Sequence, residues 1–128
     1  GNNRLDIDTV AYYPTGRDAK GKVFDNFIRV GASNMRGTLS ALSNYGAEKV
    51  DFLAPGERIA SVFMNDKYAL SQGTSAPIVS AVAAMLKSCF PKLKAKTIKK
   101  ILKDSVNPDT DGVIDVLEAV KLAQKRGK

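Results

Sequence analysis

The sequence predicts an α/β domain with a mostly parallel sheet and a buried central helix. Short apolar runs separated by turn-forming residues fill the first 70 residues, whereas apolar residues at helical spacing begin after residue 75. The apolar runs are continuous, which favours parallel pairing, because parallel strands are covered on both faces. At 128 residues, with 44% hydrophobic and 26% charged residues, the chain has the composition of a globular domain.

Three strands are predicted in the front part of the chain. The segment up to residue 25 is rich in turn-forming residues and predicts a surface loop. The apolar runs then lie at residues 27–32, 50–53 and 59–64. Pro55 and Gly56 mark a turn between the second and third runs, so each run is expected to be a separate strand.

Three helices are predicted in the rest of the chain. Residues 76–90 are rich in alanine and apolar almost all round, which predicts a helix in the centre of the domain. Pro77 fits the first turn of this helix, where its missing N–H costs nothing, and Pro91 ends it. The second and third helices are expected over residues 94–105 and 115–126.

The net charge of +7 is concentrated in one lysine-rich segment, residues 87–103. This segment contains seven lysines and no acidic residue: Lys87, Lys92, Lys94, Lys96, Lys99, Lys100 and Lys103. Its apolar residues recur at helical spacing, so we expect a solvated lysine face on a surface helix. Base readout and stacking favour arginine and exposed rings, so specific nucleic-acid binding is not expected. An acidic partner or a membrane surface is the alternative ligand for this face.

The residue inventory limits the chemistry that the chain can perform alone. It contains no histidine, so an imidazole base or imidazole metal ligands must come from elsewhere. Its one cysteine, Cys89, cannot form an internal disulfide and, beside Phe90, is expected to be buried. No apolar run approaches the roughly 20 residues of a membrane span.

Ser75 is a candidate nucleophile, because residues 73–77 place it where a loop meets a predicted helix. At that position a serine hydroxyl can face a cleft, and the serine N–H can stabilise a developing oxyanion. Serine before a helix is also a common N-cap. The pentapeptide alone therefore leaves both interpretations open.

Several segments together resemble the C-terminal half of the catalytic domain of subtilisin-like serine proteases. Gly73-Thr74-Ser75 followed by Ala76-Pro77-Ile78-Val79 is similar to the family's nucleophile motif. Four further segments match. Residues 27–32 are similar to the family pattern apolar-x-Val-Gly-Ala, and residues 42–46 are similar to Phe-Ser-Asn-Tyr-Gly. Residues 50–56 are similar to Val-Asp-apolar-x-Ala-Pro-Gly, and residues 112–120 are similar to the family's closing segment. The order and spacing agree from about residue 1 to residue 123.

This resemblance implies a serine endopeptidase with a three-layer α/β fold, which hydrolyses protein or peptide substrates through an acyl-enzyme. Ser75 would be the nucleophile. Asn2, which matches the end of the family's Ala-Ala-Gly-Asn motif, would donate its side-chain amide to the oxyanion. Gly1 would border the substrate, and residues 12–14 would form part of the specificity pocket. No cofactor is implied, and the expected location is secreted or periplasmic.

The resemblance also implies that residues 1–128 are the C-terminal portion of a peptidase domain. In the family, the catalytic aspartate and histidine precede the oxyanion asparagine, which matches Asn2 here. We therefore expect the chain to be inactive without an N-terminal segment of the same domain. The alternative is a non-catalytic module that keeps the protease-like scaffold and binds an acidic partner through its lysine-rich helix.

The nucleophile motif departs from the family pattern in length. One residue, Ala76, separates Ser75 from Pro77, where the family has three. If the helix kept its usual place, Ser75 would be displaced by about 200° of rotation and about 3 Å of rise. Near-attack geometry tolerates far less. Either the loop absorbs the deletion, or the site is broken, or two residues have been lost from the sequence.

Residues 107–118 form a second candidate site, for calcium. Oxygen-bearing side chains occupy positions 1, 3, 5, 9 and 12 of this segment and glycine occupies position 6, as in an EF-hand loop. Asparagine at position 1, Pro108 at position 2 and the absence of a partner loop argue against calcium. The expected structure is an ordinary turn in which Asp115 caps the last helix.

Overall fold

A computed structural model describes residues 1–127 as a mixed α/β arrangement. Its strands are β1 (Val30–Ser33), β2 (Phe52–Pro55), β3 (Ile59–Phe63) and β4 (Lys67–Ser71). Its helices are α1 (Ser75–Cys89), α2 (Ala95–Asp104) and α3 (Val116–Arg126). The predicted α/β class is confirmed, and each predicted helix agrees with the structure to within one residue at either end.

β1 and β2 form the parallel pair that positions the rest of the molecule. They are in register from Val30 opposite Phe52 to Ser33 opposite Pro55. A parallel bridge between Leu53 and Val113 extends the pairing on the far side of β2. The predicted parallel pairing is therefore confirmed for the first two strands.

The third predicted strand belongs to an antiparallel hairpin, β3–β4, whose second strand was not predicted. The turn between them carries Asn65 and Asp66 with φ values of +57° and +54°. Asparagine and aspartate tolerate this left-handed conformation better than most other residues, and they are the sequence signal for the hairpin.

The core lies between the parallel pair and the helices. Its buried residues come from β2, from all three helices and from the loops between them: Phe52, Ala54, Val79, Val82, Leu86, Leu93, Ile98, Ile101, Leu102, Ile114, Ala119 and Ala123. α1 packs against both strands of the pair and also contacts α2 and α3. α1 is therefore the element that joins the sheet to the other helices.

α1 buries one face and exposes the other, although its sequence is apolar almost all round. Val79, Val82 and Leu86 face the core, whereas Ala81 and Met85 are exposed in the described chain. The sheet covers only one side of the helix, which accounts for the difference from the expected burial. Cys89, expected to be buried, is exposed at the end of α1.

The lysine-rich segment is not a uniform solvated face. Lys99 lies on α2 with its Nζ 3.0 Å from Asp51 Oδ1 and 2.7 Å from Phe27 O, and both charged side chains are less than one-fifth exposed. Lys87 donates to the carbonyls of Pro91 and Leu93, which closes the turn between α1 and α2. At least two of the seven lysines therefore hold the fold together.

Within residues 1–127, no helix combines the length and the apolar character needed to cross a membrane.

Candidate active site

Ser75 lies at the carboxyl edge of the parallel pair, where ligand sites form in α/β folds. Gly56, which follows β2, donates its N–H to Ser33 O at the end of β1, over 3.0 Å. The carbonyl of Gly56 in turn accepts from the N–H of Gly73. A methyl group added at Gly56 would lie 3.6 Å from Ser75 Cβ. The two strand ends, the Gly73 loop and the start of α1 therefore meet at Ser75.

The backbone at the start of α1 leaves the polar groups of Ser75 free. The N-cap position belongs to Thr74, so the interpretation of Ser75 as a simple N-cap is wrong. Thr74 makes no side-chain capping bond, and its Oγ1 lies 3.2 Å from Ser71 Oγ instead. Within residues 1–127, Ser75 N–H has no hydrogen-bond acceptor and Ser75 Oγ has no partner.

The Ser75 hydroxyl keeps a small opening to solvent although the residue as a whole is only 4% exposed. In the part of the chain that the structure describes, the side-chain polar atoms that are fully buried without a partner are Arg29 Nε and Asn44 Nδ2. Ser75 Oγ also lacks a partner but is not one of them. Ser75 Oγ is therefore a hydroxyl without a partner that is not fully enclosed.

Asn2 is brought to the same place from the other end of the chain. Its side-chain amide packs against the Cα atom of Gly73, so closely that a methyl group at Gly73 would overlap it. Gly73 has φ +70°, which also favours glycine at this position. Asn2 is exposed, and its amide donates to no acceptor in residues 1–127. The structure thus brings the two predicted site residues together.

Asn44 holds the segment that carries Asn2. Its Oδ1 accepts from the N–H groups of Asn3 and Leu5, at 2.9 and 3.2 Å, and its own N–H donates to Gly1 O at 2.7 Å. Asn44 is only 3% exposed. We assigned it no role from the sequence, although it lies within the matching segment 42–46; a buried asparagine that serves distant backbone groups has no local sequence signal.

Gly1 and parts of the predicted specificity pocket line one cavity of about 250 Å³. Tyr12 and Pro14 contribute to its wall, as does Ala76, the residue after Ser75. Tyr13 is 79% exposed and lies outside this lining. The predicted pocket residues are therefore only partly brought together.

Two of the four acidic side chains in residues 107–118 accept structural hydrogen bonds. Asp111 Oδ2 accepts from Leu39 N over 2.9 Å, and Asp115 Oδ1 accepts from Glu118 N over 3.0 Å, the predicted helix cap. Within residues 1–127, no group of three or more histidine, cysteine, aspartate or glutamate residues is arranged to hold a metal ion. That the chain needs no cofactor stays a prediction.

Comparison with known proteins identifies the family. The model for the subtilase family, peptidase S8, matches residues 1–123. The chain belongs to the subtilase family. The resemblance drawn from the nucleophile motif and the strand motifs is therefore confirmed, and family membership supports a serine peptidase function.

The relatives of this subtilase chain are longer than it is. Subtilisin-like protease 1 of Plasmodium falciparum is 32% identical over 140 aligned residues, which cover 98% of this chain and 20% of the relative. Minor extracellular protease Epr of Bacillus subtilis is 35% identical over 85 residues, covering 60% of this chain and 13% of the relative. The structure of a protease from Pseudoalteromonas arctica superposes with a TM-score of 0.74 at 27% identity, covering 96% of this chain and 41% of that one. The subtilase chain thus spans a fifth of the Plasmodium relative and less than half of the solved structure.

Proposed function

We propose that this subtilase chain supplies the nucleophile and the oxyanion-binding groups of a serine endopeptidase. The observation that carries the proposal is the contact between the Asn2 amide and Gly73, two residues before Ser75. It puts a free side-chain donor, a free backbone N–H and a hydroxyl at one helix start. Three such groups around one point are what acyl transfer to a serine requires.

The proposed reaction begins with attack of Ser75 Oγ on the carbonyl carbon of the scissile peptide bond, while a base takes the hydroxyl proton. The carbonyl oxygen becomes an oxyanion that accepts from Ser75 N–H and Asn2 Nδ2. The positive end of the α1 dipole favours the same charge. The C–N bond then breaks, the amine leaves with the proton, and water hydrolyses the acyl-enzyme by the reverse sequence of proton transfers.

The base in this proposal comes from outside the 128 residues. The sequence contains no histidine, and none of its aspartates lies in a motif that matches the family's catalytic aspartate. We therefore assign the histidine and its orienting aspartate to an N-terminal segment of the same catalytic domain, with residues 1–128 as the C-terminal portion. The chain alone is then inactive.

The short spacing between Ser75 and Pro77 is absorbed by the loop in this proposal. Ser75 is the first residue of α1, and Gly56 and Gly73 remain beside it. Pro77 still lies in the first turn of the helix, as predicted. These positions support the alternative in which the serine reaches the cleft despite the deletion.

A secreted or periplasmic location accompanies this proposal. Among the relatives, the Bacillus subtilis protease Epr is described as extracellular, which supports it. Peptides or proteins outside the cytoplasm are then the proposed substrates.

A fluorophosphonate probe tests the proposal, because it reacts with an activated serine and forms a stable adduct. We expect slow labelling of the isolated chain and rapid labelling of Ser75 after addition of the N-terminal half of a subtilase catalytic domain. Ser75→Ala abolishes the labelling. Asn2→Ala slows it, and in turnover of a peptide substrate we expect a loss of about 10²–10³-fold, the magnitude known for subtilisin itself.

Two matched variants control this experiment. Ser80→Ala removes an exposed hydroxyl further along α1, and Asn26→Ala removes an exposed amide that forms no side-chain hydrogen bond in residues 1–127; neither should slow labelling as Ser75→Ala and Asn2→Ala do. Rapid labelling of the isolated chain would contradict the need for an outside base. If the chain and the added N-terminal half form a folded complex, here called the joined domain, and its Ser75 does not react with the probe, the site is broken.

A further inference from the structure

A cavity of about 590 Å³ opens beside the first half of β2. Its wall includes Phe52 and Leu53, the first two residues of that strand. Ser75 lies beyond the opposite end of β2, and Ser75, Gly1 and residues 12–14 are not among the lining residues. The cavity is therefore separate from the candidate active site. Its volume falls in the range of small-molecule sites, about 300–1,000 Å³.

Most of the wall is apolar and comes from two stretches of the chain, residues 39–53 and 103–112. The apolar lining residues are Leu39, Tyr45, Val50, Phe52, Leu53 and Val106. Phe52 and Leu53 are buried and form the floor, whereas Leu39 and Tyr45 are exposed and form the rim. An apolar floor below an open rim suits a small ligand that buries an apolar group.

One cation and one anion on this wall have no charged partner in the protein. Lys103, near the end of α2, forms no ion pair and no side-chain hydrogen bond within residues 1–127. Asp111 accepts one hydrogen bond, from Leu39 N to its Oδ2 over 2.9 Å, which leaves Oδ1 without a donor in the described chain. Lys103 and Asp111 are both exposed, so a ligand in the cavity can reach them.

The third charged residue on the wall, Asp51, is satisfied within the fold. Its Oδ1 lies 3.0 Å from Lys99 Nζ, and its Oδ2 accepts from Arg29 N over 2.9 Å. The charges left for a ligand are therefore one ammonium group and one carboxylate. They are complementary to a molecule that carries a carboxylate and an ammonium group itself.

We propose that this cavity binds a zwitterion with a large apolar side chain, which is the chemistry of a free amino acid such as leucine or of a dipeptide such as leucyl-leucine. The ligand carboxylate pairs with Lys103, the ligand ammonium group pairs with Asp111 Oδ1, and the side chain lies on the apolar floor. A ligand with a single charge would leave one of the two protein charges without a partner. The proposal does not rest on the peptidase function, because the Ser75 site contributes no residue to this cavity.

Titration of the ¹⁵N-labelled chain with leucine and, separately, with leucyl-leucine tests the proposal and distinguishes the two sources. We expect the ligand to shift the backbone amide resonances of Gly46 and Gly112, which both line the cavity, with a dissociation constant of about 1 mM or lower. The compound that binds more tightly identifies the source. Glycine and glycyl-glycine, which keep the charges but lack the side chain, should bind at least about 10-fold more weakly. If neither leucine compound shifts these resonances, the proposal is wrong.

Blocked forms of the tighter ligand test whether both of its charges take part. N-acetylation removes the ammonium charge, and C-terminal amidation removes the carboxylate. Each blocked form should bind about 10-fold more weakly than the free ligand, the effect of one charged hydrogen bond. Equal affinity of the blocked and free forms would overturn the proposal, because the apolar wall alone would then account for binding.

Variants assign each ligand charge to its residue. Lys103→Gln should weaken binding of the free ligand about 10-fold and leave the affinity for the amidated form unchanged. Asp111→Asn, which keeps an oxygen to accept from Leu39 N, should weaken binding of the free ligand similarly and leave the affinity for the acetylated form unchanged. The opposite pattern, or no change in either variant, would overturn the assignment of the two charges.

Matched controls come from the same two segments. Lys100→Gln on α2 and Asp109→Asn in the following loop each remove an exposed charge that does not line the cavity. Both controls should leave the affinity for the free ligand unchanged. Losses in the controls as large as those in Lys103→Gln and Asp111→Asn would show an effect of net charge alone and would contradict the proposed site.

Discussion

Gly73 is the residue on which the candidate site depends most directly. It combines a φ of +70° with a Cα atom that touches the Asn2 amide. The sequence alone places Gly73 in a loop before Ser75, but it does not predict which distant side chain packs against the Gly73 Cα atom. That part of the site depends on a contact between the two ends of the chain.

Replacement of Gly73 by alanine separates the contact from the backbone strain. We expect Gly73→Ala to displace Asn2 and to slow Ser75 labelling in the joined domain strongly, because the added methyl overlaps the Asn2 amide. The matched control is Gly21→Ala, since Gly21 has φ +82° with open space around it. Both variants should lose about 1 kcal/mol or more of stability from strain. Equal labelling of the two would show that the contact is unimportant.

The individual elements follow the sequence closely where periodicity decides them. Apolar residues at helical spacing locate α1, α2 and α3 to within one residue of each end. The hairpin strand β4 escapes prediction, because Tyr68 and Leu70 are exposed and no core selects its pattern. The role of Lys99 escapes it too: a lysine on an amphipathic helix predicts a solvated side chain, and the partner Asp51 lies far away in sequence.

Lys99 is expected to contribute most of the stability that the lysine-rich segment provides. Lys99→Met leaves the Asp51 carboxylate and Phe27 O without their shared donor, so we expect a loss of roughly 2–4 kcal/mol in the free energy of unfolding. The control is Lys96→Met. The Lys96 ion pair with Asp25 spans 3.5 Å between side chains that are 76% and 72% exposed, so its loss should cost under about 1 kcal/mol. Urea denaturation measures both, and equal losses would contradict the anchoring role of Lys99.

At the scale of the whole molecule, the motifs predict the family and the structure adds the arrangement of its parts. The order of the matching segments gives the fold class and the position of Ser75. The 250 Å³ cavity beside Gly1 could not be predicted, because its lining comes from many separate parts of the chain, from Gly1 to Ala76.

The net charge of +7 predicts weak binding to a polyanion such as heparin, with a steep dependence on salt. Four lysines of the segment 87–103 form no ion pair or side-chain hydrogen bond in residues 1–127: Lys92, Lys94, Lys100 and Lys103. We expect a triple change to glutamine at Lys92, Lys94 and Lys100 to lower the slope of log K against log salt by about one per lysine.

The matched control for this salt dependence is a second triple variant, in which Lys20, Lys22 and Lys125 are changed to glutamine. Both sets remove three positive charges, so equal losses indicate that binding follows net charge alone, which is the result we expect for a solvated lysine face. A much larger loss from the first set would favour the alternative, a non-catalytic module that binds an acidic partner through its lysine-rich helix.

The hydrogen bonds of Asn44 have a consequence for the covalent continuity of the chain. The backbone N–H groups of Asn3 and Leu5 donate to its side chain. The same pairing continues along the backbone, because Tyr45 N–H donates to Leu5 O and Ile7 N–H donates to Tyr45 O. The loop over residues 17–26 is exposed throughout. A protease that nicked this loop would therefore leave the first residues bound in a two-piece complex, with Asn2 still beside Gly73.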